Sequence, residues 1–99
     1  MEHLLIPASW KSAAAMKNTI REREEEDWSV VALGDISGGN TLVLVKDGHS
    51  YEHEVIQIFW SLRGKVEDII KERQEDGWTV ATVGACLGST LLVMKRKLN

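Results

Sequence analysis

The fold is best approached from the segment Glu75-Asp76-Gly77-Trp78-Thr79-Val80. A similar segment occurs once more in the chain. Fifty residues earlier the sequence reads Glu25-Glu26-Asp27-Trp28-Ser29-Val30. In each segment acidic residues lead to a tryptophan, and residues with strand propensity follow it. Gly77 suits the left-handed position after a helix, which Asp27 tolerates less well. The pattern therefore predicts a helix end followed by a strand start at two places.

The same offset relates the rest of the chain. Aligning residues 1–49 with residues 51–99 without a gap gives 14 identities in 49 positions, against about 3 expected by chance for average composition. Among these identities are the pairs His3/His53, Trp10/Trp60 and Gly34/Gly84. We therefore interpret residues 1–99 as one compact domain that arose by tandem duplication, with repeats 1–49 and 50–99.

Each repeat is predicted to fold as β-α-β-β. Hydrophobic residues recur at the helical period in the second helix, and alanines favour the first helix by propensity. Asp47-Gly48 is a hairpin signal between the repeats, and glycine-rich segments connect the second and third strands. The predicted strands are about Glu2–Ile6, Trp28–Leu33, Thr41–Lys46, Tyr51–Ile58, Trp78–Val83 and Thr90–Arg96, and the predicted helices are about Ser9–Glu26 and Ser61–Asp76.

Together these elements predict an α+β fold with six mostly antiparallel strands and two helices packed on the sheet. The sequence leaves the strand order open; one arrangement, with the third strand between the first and second, keeps neighbours antiparallel and permits a right-handed crossover. We expect a pseudo-twofold axis between the repeats. Several strands are apolar on both faces, whereas a sheet with one face in water alternates with polar residues. The second face must be covered by the other repeat or by a second copy, and we favour a homo-oligomer, a dimer.

Composition excludes several classes of protein. The chain has 12 Lys and Arg against 15 Asp and Glu, so its net charge is −3, which argues against a nucleic-acid-binding face. The lone cysteine, Cys86, excludes an intrachain disulfide and a thiolate-only zinc site. No apolar run reaches the length of a membrane span, and the start lacks the features of a signal peptide. We expect a cytoplasmic protein without a cofactor and without membrane contact.

The second repeat resembles the small bacterial domains known as domain of unknown function 4177. The resemblance rests on Tyr51-Glu52-His53, on Gly77-Trp78 and on the closing Lys95-Arg96. In the first repeat Asp27 replaces the glycine and Val45-Lys46 replaces the basic pair. The resemblance implies a β-α-β-β fold, normally with one unit per chain, and it implies no activity.

His3 and His53 are the strongest candidates for shared chemistry, because each follows a glutamate in its repeat. A pseudo-twofold axis could bring the two rings together, although two histidines without a third ligand make a weak metal site. The alternative is that both are hydrogen-bonded histidines in strands. Any catalytic residues would come from these histidines and from Glu2 and Glu52, but no catalytic set or metal site is predicted.

The tryptophans have two possible roles. Large aromatic residues at helix–strand junctions usually hold a helix on a sheet. Alternatively, Trp10 and Trp60, with His3 and His53, would form the wall of a ligand pocket at the repeat or subunit interface. The sequence therefore favours a non-catalytic interaction or structural module that binds a protein partner, over a small-molecule-binding protein; nucleic-acid binding through the short basic tail ranks third.

Overall fold

The computed structural model describes residues 1–58, 63–86 and 89–98. Within these ranges it contains six strands and two helices, in the predicted order. The elements are β1 (Glu2–Pro7), α1 (Ala13–Glu24), β2 (Ser29–Ile36), β3 (Gly39–Lys46), β4 (Ser50–Ile58), α2 (Arg63–Glu75), β5 (Thr79–Cys86) and β6 (Ser89–Leu98).

The strands form two antiparallel sheets of three strands each. Sheet one has the order β1-β3-β2 and sheet two has the order β4-β6-β5. The predicted α+β class and the antiparallel pairing are therefore confirmed, and the third strand of each half lies at the centre of its sheet. The registers of the two sheets correspond, since Glu2 pairs with Lys46 and Glu52 pairs with Arg96.

Each sheet carries one irregularity, in the strand that follows the helix. The register shifts between Val30 and Ala32 in β2 and between Val80 and Thr82 in β5. A bulge inserts one residue into a strand and leaves it without a partner. On the edge of β2 that faces away from β3, backbone N–H groups normally belong to residues two apart. Because of the bulge, they belong here to Val30 and Leu33, which are three apart.

The helix α1 begins later than the predicted Ser9. Its N-cap is Ser12, whose Oγ accepts a hydrogen bond from the Ala15 N–H at 3.2 Å, as N-cap serines commonly do. The Ser9 Oγ instead accepts from the Asn40 N–H at 2.9 Å. This contact holds Ser9 against β3 and leaves Trp10 outside the helix.

Both helices end in the left-handed residue that the sequence predicts. Asp27 has φ 66° and Gly77 has φ 87°. The Trp28 N–H then donates to the Arg23 carbonyl and the Trp78 N–H to the Arg73 carbonyl, each at 3.1 Å. These bonds satisfy carbonyls of the last helical turn and turn the chain towards the next strand.

The hairpin predicted at Asp47-Gly48 is wrong. β3 and β4 flank this turn but lie in different sheets. The Asp47 carboxylate accepts from the His49 N–H and from the Tyr51 hydroxyl, at 3.0 and 2.9 Å, which holds the chain as it passes between sheets. The tight hairpin lies instead at Ser37-Gly38, where both residues have positive φ, 54° and 85°, as a two-residue turn between strands requires.

The main core lies where α1, sheet one and sheet two meet. Its buried residues come from both halves of the chain, so each half covers part of the other. They are Ala8, Met16, Ile20, Trp28, Val30, Leu33, Leu42, Leu44, Val55, Leu91 and Val93. Neither of the described helices is long and apolar enough to cross a membrane.

Candidate functional site

The candidate site is the surface of sheet two that receives the edge of β2. Two backbone N–H groups of that edge end on side chains of sheet two. The Val30 N–H donates to His53 Nε2 at 3.1 Å, and the Leu33 N–H donates to Thr82 Oγ1 at 3.0 Å. Because of the bulge in β2, both donors point the same way. An edge that would otherwise be open for pairing with another chain is thereby covered.

Lys95 completes the polar contacts to this edge. Its Nζ donates to the Val30 carbonyl at 3.1 Å and to Ser29 Oγ at 2.8 Å, and it lies 5.0 Å from the centre of the Tyr51 ring. Burial lowers the pKa of Lys95, and the negative charge of Asp47 partly opposes this. The lysine therefore acts as a hydrogen-bond donor to the backbone of the first repeat.

Gly84 permits the close approach of the two sheets. A Cβ at this position would lie 2.7 Å from the Leu33 carbonyl oxygen, so any side chain would displace β2. We name the surface formed by His53, Thr82, Gly84 and Lys95 the docking face, since the strand register places all four residues on one side of sheet two.

His53 links the docking face to α1. Its side chain is only 1% exposed, and its Nδ1 lies 3.1 Å from Glu24 Oε1. The same oxygen accepts the His53 backbone N–H. Because Nε2 accepts from Val30, the proton sits on Nδ1 and the ring is neutral. Burial lowers the pKa of His53, and the neighbouring Glu24 only partly opposes this effect.

This environment determines what His53 can do chemically. Both ring nitrogens are engaged by protein groups, so neither has a lone pair or proton directed at a substrate. Its counterpart His3 lies exposed on β1, and no group of three or more potential metal ligands occurs among the described residues. The arrangement serves to hold polypeptide segments together.

The predicted ligand wall is divided between two cavities. His53 lines a cavity of about 160 Å³ between α1 and β4, together with Lys17, Ile20, Arg21, Glu24 and Val55. Trp10 lines a separate surface groove of about 480 Å³ with Pro7, Ser9, Lys11 and Ala15. Neither cavity includes His3, and Trp60 lies outside the described residues.

The tryptophans do not share one role. Trp28 is buried in the core, and Trp78 stacks with the Arg96 guanidinium at 4.7 Å from the ring centre. Trp10 is 87% exposed, so the packing role predicted for it is wrong. The reason is that Trp10 precedes the helix instead of forming part of its apolar stripe.

The two glutamates that precede these histidines also lie in different environments. Glu52 forms an ion pair with Arg96 across β4 and β6, whereas Glu2 is exposed.

Sequence reasoning missed Glu24, Thr82 and Lys95. A usable signal was present, because the aligned residues in the other repeat are Gln74, Ala32 and Val45. Positions where an otherwise similar repeat gains a hydrogen-bonding or charged group indicate a contact made by one repeat only.

Comparison with protein-family models, with curated proteins and with solved structures yields no match. The resemblance to domain of unknown function 4177 therefore stays a prediction.

Proposed function

We propose that this chain is a non-catalytic interaction module built from two copies of a β-α-β-β unit. Three correspondences at an offset of 50 residues support the duplication: the strand orders of the two sheets, their bulges, and the left-handed residues Asp27 and Gly77. The resemblance to domain of unknown function 4177 belongs to the same proposal.

The observation that carries the proposal is the docking face itself. It binds a strand edge through side chains placed on a neighbouring sheet, with two N–H groups and one carbonyl of β2 engaged. His53 was the strongest candidate for chemistry, but both of its ring nitrogens are hydrogen-bonded within the chain, to Val30 and to Glu24. A fold that recognises polypeptide backbone within its own chain has the chemistry needed to recognise another chain.

The contacts between the two sheets run in one direction only, and this bears on the expected pseudo-twofold axis. A twofold axis makes every contact reciprocal, so His3 would contact the edge of β5 as His53 contacts the edge of β2. His3 is instead exposed, while the side chain of His53 is 1% exposed. We therefore propose a head-to-tail arrangement of the two units in place of the pseudo-twofold axis expected from the sequence.

Small-molecule binding is the second candidate, and it has one specific observation in its favour. The 160 Å³ cavity between α1 and β4 lies at the boundary of the repeats and is lined by Lys17 and Arg21, whose charges would suit a small anion. Its volume is below the roughly 300 Å³ typical of ligand pockets, so we rank this candidate lower.

The proposal can be tested by photo-cross-linking in the cells that produce the protein. A photoreactive amino acid replaces Leu5, which is 56% exposed on sheet one. The matched control places it at Glu22, an exposed position on α1. We expect cross-links to a protein, either this chain or another, from position 5 and none from position 22.

Absence of any protein cross-link from position 5 would contradict the interaction module. A thermal-shift screen with metabolites and nucleotides covers the other candidate. A ligand that raises the melting temperature of the wild-type protein but not of Arg21→Ala would establish small-molecule binding at the cavity instead.

A further inference from the structure

We propose that a second copy of this chain docks its β5 edge on the outer face of sheet one, as β2 docks on sheet two within the chain. The outer face is the surface of sheet one that aligns with the docking face, formed by His3, Ala32, Gly34 and Val45, with Leu5 beside them. This inference rests on the proposed duplication and names the partner of the interaction module.

Two residues of the docking face recur unchanged on the outer face, where nothing in the chain occupies them. The His53 side chain is 1% exposed, whereas His3 is exposed. A Cβ on Gly84 would meet the Leu33 carbonyl at 2.7 Å, whereas a Cβ on Gly34 would meet nothing within 4 Å. Val45 of the outer face is only 6% exposed, so the open part of this face is the region of His3, Leu5 and Gly34. The chain thus holds one filled and one partly open version of the same surface.

The strand edges show the opposite contrast, since the edge of β2 in the first half is covered and the edge of β5 in the second half is exposed. Val30 and Leu33 of β2 are 0% and 6% exposed, because that edge is docked. Their counterparts Val80 and Val83 are 42% and 51% exposed, although β5 carries the same bulge. The strand edge of the second repeat is therefore shaped like the docked one and is open.

The two helices differ in burial in the same way as the two strand edges. In α1, Met16 and Ile20 are 0% and 2% exposed, and Glu24 accepts two N–H groups of His53. In α2 the aligned Val66 and Ile70 are only half-buried. Gln74 stands where Glu24 stands, and its amide oxygen can accept the same bonds from His3 of a second copy.

The two surfaces also differ, which sets the expected strength. Ala32 and Val45 replace Thr82 and Lys95, so the contact between copies lacks two hydrogen-bonding groups of the internal contact. Leu5, at 56% exposure, supplies apolar area in their place. Since the copies also lose translational freedom on binding, we expect association that depends on concentration.

The contact uses different surfaces on the two copies, so it is heterologous. Such contacts close into a ring or continue as a filament. The smallest closed form is a dimer, in which each copy offers its edge to the other and receives the other's edge.

The test uses one variant that blocks each surface. Gly34→Val fills the vacant face, where the isolated chain has open space. Val83→Lys puts a charge on the edge, at a position that is exposed in the isolated chain but whose counterpart is buried. Gly64→Ala is the control, because its Cβ also meets nothing within 4 Å but it lies on α2. Leu5→Lys and Val80→Lys are second variants of the face and the edge, used if a first variant does not fold.

Light scattering after size exclusion gives the mass at up to about 1 mM chain, where even a weak interface associates. We expect wild type and Gly64→Ala to reach at least twice the 11.1 kDa of one chain. Each blocked variant alone should have the mass of a single chain. An equimolar mixture of the two should form a dimer, because the intact edge of one meets the intact face of the other.

The inference is overturned if wild type keeps the mass of one chain, if either folded variant associates like wild type, or if the mixture does not associate. In each case a cross-link from Leu5 to a different protein would leave the interaction module standing and exclude only self-docking.

Discussion

At the scale of single residues, environment separates side chains that the sequence presents as equivalent. His3 and His53 occupy the same position in the two repeats, yet only His53 is enclosed, between Glu24 and the edge of β2. Its Nε2 accepts a backbone N–H, and protonation of that nitrogen would remove the acceptor. The buried ring therefore makes the joint between the repeats sensitive to acid.

We predict that His53 makes the protein less stable in acid. Burial lowers its pKa in the folded state below the value of about 6.5 in the unfolded chain. The unfolded state then binds more protons, so stability is present above about pH 6.5 and falls as the pH drops towards the folded pKa. Between pH 7.5 and 5.5, urea unfolding should show wild type losing up to about 1 kcal/mol more than His53→Gln.

His3→Gln is the matched control for this measurement, because His3 is exposed. It should retain the full loss of stability in acid. An equal loss in wild type and His53→Gln would refute the role given to His53.

At the scale of elements, the two helices carry similar patterns but are held differently. α1 buries Met16 and Ile20 in the main core, while none of the residues Arg63–Glu75 of α2 is buried. α2 is held instead by a bidentate ion pair between Arg73 and Glu54. Arg73 Nε and Nη2 donate to the two Glu54 oxygens at 2.9 Å each, which ties the helix to β4.

We predict that Arg73→Ala loosens α2 more than the rest of the chain. The two side chains are 30% and 33% exposed, so solvent screens the pair and the loss of global stability should be small. Amide hydrogen exchange should accelerate within α2 while the core strands β3 and β6 stay protected. Arg63→Ala, an exposed position on the same helix, serves as control, and equal acceleration in both variants would contradict the anchoring role.

At the scale of the whole molecule, the two sheets are joined where the edge of β2 lies on the face of sheet two. The closest approach is between Gly84 and the Leu33 carbonyl, where a Cβ would lie 2.7 Å from the oxygen. The interface has no room for an added methyl group there. The aligned Gly34 faces open space, so one pair of substitutions measures the joint directly.

We predict that Gly84→Ala destabilises the protein by about 1–3 kcal/mol, the usual cost of overpacking. Gly34→Ala should be neutral or slightly stabilising in the single chain, since alanine restricts the unfolded state more than glycine does. Urea unfolding at low protein concentration compares the two. Similar free energies of unfolding for both variants would show that the repeats do not meet at Gly84.

The local structure was largely predictable from the sequence. Runs of β-branched and other apolar residues indicated the strands, the helical hydrophobic period indicated the second helix and alanine propensity the first. The acidic-Asp/Gly-Trp segments marked both helix ends. The strand order was left open, and the central third strand was one arrangement compatible with antiparallel neighbours and a right-handed crossover. The errors came where tertiary contacts competed with local signals: Ser9 bonds Asn40 instead of starting α1, and Asp47-Gly48 links two sheets instead of closing a hairpin.

The candidate site was predicted in part. His53 was singled out because it recurs, but Glu24, Thr82 and Lys95 were not. Those residues lie 29, 29 and 42 positions from His53 in the sequence, and no local pattern indicates which side chains a strand edge will meet. The exposure of Trp10 was likewise unpredictable, because its position one turn before α1 depends on the cap at Ser12.

The helices and strands, their order along the chain and the antiparallel pairing could be predicted from the amino-acid sequence. They depend on local backbone preferences and on the spacing of apolar residues, which a chain carries in every context. Which of the two sheets docks its edge on the other became clear only from the folded molecule. That choice depends on a few side chains meeting a strand edge across the interface, and it made His53 a buried joint while leaving the equivalent His3 exposed.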